Sequence, residues 1–578
     1  MLIYADHKTE YNTLEYIFRI RRVLDTAEER SFSDHSINTE LLIIFGEFES
    51  ALTDLLSASE DDHNILICTL REASLLCGLI FNYSYNSSYS YNSNYSGSYE
   101  AAGKLNRILS RLANMDLPEN ITISLPEGYA YYGLYPEMYL VSAEEFTEKR
   151  NPENVIVIGI RSIGTSLSAA VAACMKLKGC LDELVTIRPR GEYYNREVKI
   201  SDKLKSILNK KNSYYLIIDE GPGLSGSSFC SVAEYLSNLG IEDEKIILFP
   251  SYEADPDNFV SGLAKERYRK HEKYTAAFET VMLESGRLTG QKHYGNIHDI
   301  SAGKWRELFY KDESRSPAVY QNFEQRKYIF RDESTFFIKF AGLGHYGRKL
   351  FERALKLAEA GFSPKAQKIS NGFIWFELID GRPLEKEDIK REVLDKFAHY
   401  LAFIKKEFPA KPSMTIEEIK EMIRINVNKG LGEEWTGKTD GIYLSIPEAF
   451  EEHSVEIDGR MLPYEWIKTK NGLIKTDSIH HHSDHLLPGN IDIAWDVAGV
   501  ITECGLSTDM ENYFLSRYKE LSHDKTISER LKFYISAYLL FRLGYTKFAS
   551  ERLGATSDGI KFGQLSEYYA FLFKMKII

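Results

Sequence analysis

The stretch from Val155 to Pro250 constrains the fold more tightly than any other part of the chain. VIVIGI, Val155 to Ile160, runs through a Gly/Ser turn into the Ala-rich SLSAAVAACMKL. ELVTIRP and YYLIIDE follow, then a second Ser/Gly turn, SFCSVAEYLSNL and KIILFP. Short uninterrupted apolar runs alternating with helical periodicity specify strands buried on both faces and joined by crossover helices, which predicts a parallel sheet. Ligands on such sheets gather at the carboxyl ends of the strands. The turns after each run are therefore where chemistry is expected.

The remaining residues fit around that sheet as a multidomain α/β and α+β chain. Its 578 residues are enough for about three or four domains. Residues 1–124 carry Leu41, Leu42, Phe45, Phe48, Leu52 and Leu55 at helical spacing and predict a helical N-terminal layer. Within it, the Tyr/Ser/Asn tract 82–100 reads as an exposed loop; a base-stacking platform is the alternative, but no Arg or Lys is interleaved. Residues 125–255 hold the parallel sheet, and 256–324 form a charged, aromatic-rich connection. Residues 325–578 open with the hairpin pattern YIFRDESTFFIKF and continue into long helices, an α+β region. No repeat of solenoid length is visible.

Composition narrows the function classes. Lys and Arg total 71 against 84 Asp and Glu, a net charge of −13, which disfavours general nucleic-acid binding while permitting a local basic pocket. Six cysteines without a CxxC pair predict reduced thiols and no disulfides. The start, MLIYADHKTEYN, has no basic region leading into an apolar one, and the most apolar segment, Ile65 to Phe81, is interrupted by Arg71 and Glu72. A cytoplasmic protein with no membrane span is expected. The oligomeric state has no signature in the sequence.

The strongest motif is Tyr214-Tyr-Leu-Ile-Ile-Asp219-Glu220-Gly-Pro-Gly-Leu-Ser225-Gly226-Ser227-Ser228. Adjacent carboxylates at a strand end can accept hydrogen bonds from a ribose diol or hold hydrated Mg²⁺. The Ser/Gly bend offers N–H groups and hydroxyls to a phosphate. The segment resembles the type I phosphoribosyltransferases, with a loop one residue longer between the acids and the Ser-Gly. That resemblance implies catalytic roles for Asp219 and Glu220 and phosphate contacts from Ser225, Gly226, Ser227 and Ser228. It also implies pyrophosphate contacts from the earlier turn, Arg161, Ser162 and Gly164. Arg188 and Arg190, after the next strand, suit the same anion bidentately; a solvated surface pair is the alternative. The implied reaction transfers ribose 5-phosphate from phosphoribosyl pyrophosphate to a nitrogen acceptor, with Mg²⁺ neutralising the leaving group.

A second constellation lies in residues 325–578. Lys339 sits inside a strand pattern, where a cation needs an acid partner; Glu352 on the following helix is a candidate, and a plain strand-edge lysine is the alternative. Phe373 to Leu384 gives an apolar strand, Glu377, and a turn into a helix. This resembles the hinge of aminoglycoside phosphotransferases and related small-molecule kinases, which implies ATP as phosphoryl donor, Mg²⁺, and a two-lobed domain. In Leu473 to Gly499 the resemblance implies a catalytic acid at Asp477, with Asp484 as rival, and metal contacts from Asp492 and from His482, where the family carries Asn. Asp496 matches the acid that starts the family's next helix. Four histidines between Lys475 and His485 leave a transition-metal site as an alternative. Two functions follow as expectations: a bifunctional enzyme joining phosphoribosyl transfer to phosphorylation of a small molecule, or a regulatory protein that binds phosphoribosyl pyrophosphate or ATP without turnover.

Overall fold

The computed structural model describes residues 1–578 except 6, 88–95, 193, 194, 224, 260, 291–295, 440, 441, 443–451 and 578. The N-terminal part pairs β1 (Lys8–Asn12) antiparallel with β2 (Asn120–Ser124), and between them run α1 (Thr13–Glu29), α2 (His35–Leu56), α3 (Ile65–Ser87) and α4 (Ser96–Leu112). The predicted loop 82–100 is corrected at both ends. Residues 82–87 complete α3 and 96–100 open α4, because Phe81 and Ala101, like Leu105 after them, stay on the buried faces of these helices. The middle of the tract, 88–95, lies outside the described residues. α3 contains a stretch, Ile65–Asn86, long and apolar enough to cross a membrane, but 72% of its most apolar window is buried inside the protein.

The parallel sheet is present. After α5 (Pro136–Arg150) come β3 (Val155–Ile160), α6 (Ile163–Leu177), β4 (Leu181–Ile187), β5 (Tyr214–Ile218), α7 (Ser227–Asn238), β6 (Ile246–Phe249) and β7 (Glu272–Lys273). The order is β4-β3-β5-β6-β7, every pair parallel, with Val157 opposite Leu184 on one side and Leu216 on the other. Strand alternation divides β3 between two cores: Val155 and Val157 join the helical layer, whereas Ile156, Ile158 and Ile160 pack against α7. Each such side chain contributes about 1.5–3 kcal/mol on burial. α2 lies close on α6 because Gly46 has no Cβ; one built there would sit 2.6 Å from the Ser166 Cβ.

A five-stranded antiparallel sheet follows: β8 (Ile297–Asp299), β9 (Lys327–Arg331), β10 (Thr335–Phe340), β11 (Ala366–Ser370) and β12 (Phe373–Glu377), in the order β8-β9-β10-β12-β11. The hairpin read from YIFRDESTFFIKF is β9–β10. α8 (His345–Glu359) leans on this sheet. The rest is mainly helical: α9 (Arg391–Glu407), α10 (Ile416–Leu431), α11 (Ala494–Glu503), α12 (Thr508–Ser522), α13 (Ile527–Leu553) and α14 (Ser557–Ile577). Short strands β13 (Ser454–Val455), β14 (Trp466–Thr469), β15 (Gly472–Lys475) and β16 (Ile491–Asp492) carry the loops that face the sheet.

The regions are tied together by shared cores. Phe340, Phe373 and Trp375 of the antiparallel sheet belong to the same apolar cluster as α2, α3 and α6. The first residues pack into the helical lobe: the Leu2 N–H donates to Asn426 Oδ1 at 2.8 Å, Ala5 N–H to the His485 carbonyl at 2.9 Å, and Leu487 N–H to the Ile3 carbonyl at 2.9 Å.

Candidate functional sites

At the carboxyl end of β3 the chain enters α6 through Ser162, whose φ of +122° is a strained conformation for a residue with a side chain. Gly164 is fixed by packing, since a Cβ there would lie 2.7 Å from the Ile218 carbonyl oxygen. The three arginines expected to meet pyrophosphate are held instead by two acids from the end of α2 and the turn after it. Arg161 Nε donates to Asp54 Oδ1 at 2.7 Å and its NH2 group to Asp61; Arg188 donates to Asp54 through Nε at 3.2 Å and through NH2, and its backbone N–H reaches Asp61 Oδ2 at 2.7 Å. Arg190 donates to Asp61 Oδ1 at 2.9 Å and to the Ser57 carbonyl at 2.5 Å. The side chains of Arg161 and Asp61 are fully buried. Arg161 and Arg190 are therefore taken up in an internal ion-pair network, and Arg188, at 30% exposure, is the most accessible of the three arginines. Asp54 and Asp61 had no local signal in the sequence; only the fold brings them here. A small cavity of about 70 Å³ opens beside Asp54, Ser162, Ser166 and Arg188.

Asp219 and Glu220 follow β5 and are partly buried. Asp219 Oδ1 accepts the Glu220 N–H at 2.8 Å, and the Tyr139 hydroxyl donates to the Asp219 carbonyl at 2.7 Å. Glu220 is turned toward Gly128, whose missing Cβ would stand 2.8 Å from Glu220 Oε1. Burial pushes Asp219 up to about 7; burial, then the neighbouring Asp219 and Glu127, push Glu220 up to about 8. In the bend, Ser225 and Ser227 hydroxyls bond each other at 2.9 Å and are buried, Ser228 is partly exposed, and Gly226 takes φ +62° against the Phe259 ring. Raised carboxyls bind protons more tightly folded than unfolded. The stability they contribute is full below the ordinary values of 3.8 and 4.5 and is lost as pH rises to about 8. Glu220→Gln is expected to lessen the fall in unfolding midpoint across that window; an unchanged slope in thermal melts rules out this source.

The second site is a cleft. A cavity of about 360 Å³ between the antiparallel sheet and the helical lobe is lined by Lys339, by Glu377, Leu378 and Ile379 after β12, by Arg460 and Glu465, and by Asp477 after β15. Lys339 is buried; its ammonium group is bonded to Asp477 and lies 3.1 Å from His480 Nδ1. The acid partner that a buried lysine requires is thus Asp477 and not Glu352, which is exposed on α8. The apolar stripe Leu350, Ala354 and Leu357 turns Arg353 inward and Glu352 outward. Burial lowers Lys339 to about 8 against the pull of Asp477. Asp477, which burial alone raises, is held well below the ordinary range chiefly by the Lys339 ammonium group. The Glu377 carboxylate accepts from Gln367 Nε2 at 2.6 Å, and the residue is exposed at the end of β12.

Sequence reasoning missed the loop before the β14–β15 hairpin. Asp496 accepts the N–H groups of Asp458 and Gly459 at 2.7 and 2.8 Å, fixing a turn from which Arg460 faces the cleft. Among the described residues no carboxylate comes within 4.0 Å of the Arg460 guanidinium. The signal was available as an Asp-Gly-Arg with Glu465 five residues on. Asp484 is buried away from the cleft lining; its Oδ1 accepts the Leu486 N–H at 2.6 Å, and burial raises it to about 7.

Mg²⁺, implied by the resemblance, was tested against its expected ligands. Asp492 is fully buried and its two oxygens take Arg530 Nε at 2.6 Å, Arg530 NH2 at 3.2 Å and the Ala494 N–H at 2.8 Å. His482 lines a different cavity, with Tyr131, His345 and Asn490. Mg²⁺ prefers octahedral oxygen ligands; with the Asp492 oxygens taken by Arg530 and His482 offering nitrogen in another cavity, this pair as placed does not fit it.

No protein-family model matches the chain, and no curated protein matches it. Solved structures similar to it include a Plasmodium vivax ethanolamine kinase, 12% identical, with 60% of this chain and 95% of that one covered and a TM-score of 0.34. A choline kinase from Streptococcus pneumoniae is 18% identical over 42% of this chain and 89% of its own, TM-score 0.30. A spectinomycin phosphotransferase is 13% identical over 46% and 92%, TM-score 0.32.

Proposed function

We propose that the cleft binds ATP and passes its terminal phosphoryl group to a hydroxyl of a small molecule. The observation that carries this reading is one cavity lined at once by Lys339, Asp477 and the segment Glu377, Leu378 and Ile379. Leu462, Ile467 and Phe337 give it apolar walls suited to a purine, while Lys327, Lys339 and Arg460 put positive charge where phosphates would lie. Lys339→Met is expected to weaken ATP binding about 10–100-fold, the worth of one charge-assisted contact. Calorimetric titration checks it, and unaltered affinity means the lysine is only structural.

Binding of a nucleotide without turnover is the second reading. It is favoured by the ion pair with Lys339, which takes up Asp477, the acid expected to receive the acceptor's proton. ADP release measured with amino alcohols and aminoglycosides separates the two: binding with no acceptor-dependent release supports the sensor. For the parallel sheet, phosphoribosyl pyrophosphate binding at the 219–228 bend remains our proposal, supported by the φ values of Ser162 and Gly226. It requires Arg188 to leave Asp54. Titration with phosphoribosyl pyrophosphate that gives no heat ends it.

A further inference from the structure

Beside the cleft, three side chains place electron-pair donors around one point. Asp477, His480 and His481 each offer one ligand atom, all within 4.8 Å of one another. His481 is the informative member. Its Nδ1 lies 2.9 Å from the Asp458 carbonyl oxygen, an acceptor only, so Nδ1 carries the proton and Nε2 is left with a bare lone pair. That Nε2 has no hydrogen-bond partner, on a side chain only 5% exposed, and it faces Asp477 Oδ2 at 3.9 Å, beyond hydrogen-bond reach. A buried lone pair opposite a carboxylate is repulsive unless a cation stands between them. His480 Nδ1 adds a third donor 3.3 Å from Asp477 Oδ1, and it too presents a lone pair, because it accepts from Lys339.

We infer that Asp477, His480 and His481 form a transition-metal site, selective for Zn²⁺, Co²⁺ or Mn²⁺ over Mg²⁺. Donors at about 2.0–2.2 Å from one Zn²⁺ stand roughly 3.3–3.6 Å apart in tetrahedral geometry; here the pairs with Asp477 are 3.3 and 3.9 Å and all three lie within 4.8 Å, so the ligands draw in on binding. Two imidazoles and one carboxylate suit these borderline metals, whereas Mg²⁺ takes oxygen. The His481 bond to the Asp458 carbonyl is the kind of outer contact that fixes the tautomer of a metal-binding imidazole. Lys339 occupies one corner with its own charge, so the metal and the ammonium group compete, and the site fills as Lys339 swings into the cleft.

The test uses the full chain without nucleotide, titrated with Zn²⁺, Co²⁺ and Mg²⁺ separately. Zn²⁺ and Co²⁺ are expected to bind one equivalent and Mg²⁺ far more weakly. His481→Gln should weaken Zn²⁺ by about 10–100-fold, Lys339→Met should tighten it by removing the competing cation, and His482→Gln, facing the other cavity, should leave it unchanged. Zn²⁺ binding no stronger than Mg²⁺, indifference to His481→Gln, or equal loss with His482→Gln overturns the inference. Should His481→Gln fail to fold, the Co²⁺ visible spectrum of the unmodified chain decides, and absence of an imidazole-ligated band overturns it. Because no ATP is present, failure here leaves the kinase reading standing, and a metal bound without ATP affinity would refute that reading alone.

Discussion

Replacing Asp61 with Asn is expected to lower the unfolding free energy by about 3–5 kcal/mol, the cost of leaving buried charge without its partner. Asp61 is fully buried and receives Arg161, Arg190 and the Arg188 N–H together. An amide of the same shape keeps the volume and can still accept one bond, but it cannot balance the guanidinium beside it, which has no route to water. The loss reaches beyond α2 and α3, because Arg161 and Arg188 flank β3 and β4 at their carboxyl ends. Chemical denaturation measures it: a change below about 1 kcal/mol, typical of an exposed pair, would show the network to be ornamental. Asp54→Asn, whose own carboxylate is 35% exposed, should cost less, and the difference between the two variants separates burial from pairing.

Arg530→Met carries the second large effect, again about 3–5 kcal/mol. The guanidinium on α13 is held by Asp492 and Asp524, and its NH1 group also donates to the Thr526 hydroxyl at 2.6 Å. Methionine fills similar space but strands the buried Asp492 carboxylate on β16 and leaves Asp524 with Lys405 at 3.2 Å. If Asp492 served the nucleotide, Arg530→Met would alter ATP affinity at constant fold stability. The expected outcome is the reverse: a lower unfolding midpoint in denaturant, and ATP affinity per folded molecule unchanged. Asp492→Asn combined with Arg530→Met should recover part of the loss, because the stranded charge is then removed.

How far the sequence was legible depended on the range of the interaction involved. β3, β5 and β6 were readable because a strand buried on both faces must be apolar throughout, a requirement met within runs of 4 to 6 residues. The demand of Lys339 for an acid was equally readable, since it follows from burial alone. Its partner was not: Asp477 lies 138 residues further on, and helical phase, which would have excluded Glu352, was not applied to Leu350, Ala354 and Leu357. Asp54 and Asp61 stand more than 90 residues from the arginines they neutralise, and nothing in their own surroundings marks them. The motif match at Asp492 misled because a short strand followed by a helix looks alike whether its acid meets a metal or an arginine. That choice was made by Arg530, 38 residues away.

The docking of residues 2–5 against Asn426, His485 and Leu487 closes the chain over a long range, 424 residues between Leu2 and Asn426. Such long-range closure slows folding. A fragment cut to begin at the antiparallel sheet would present an unfilled seam where Ile3 belongs, one wall short of the interior the whole chain builds.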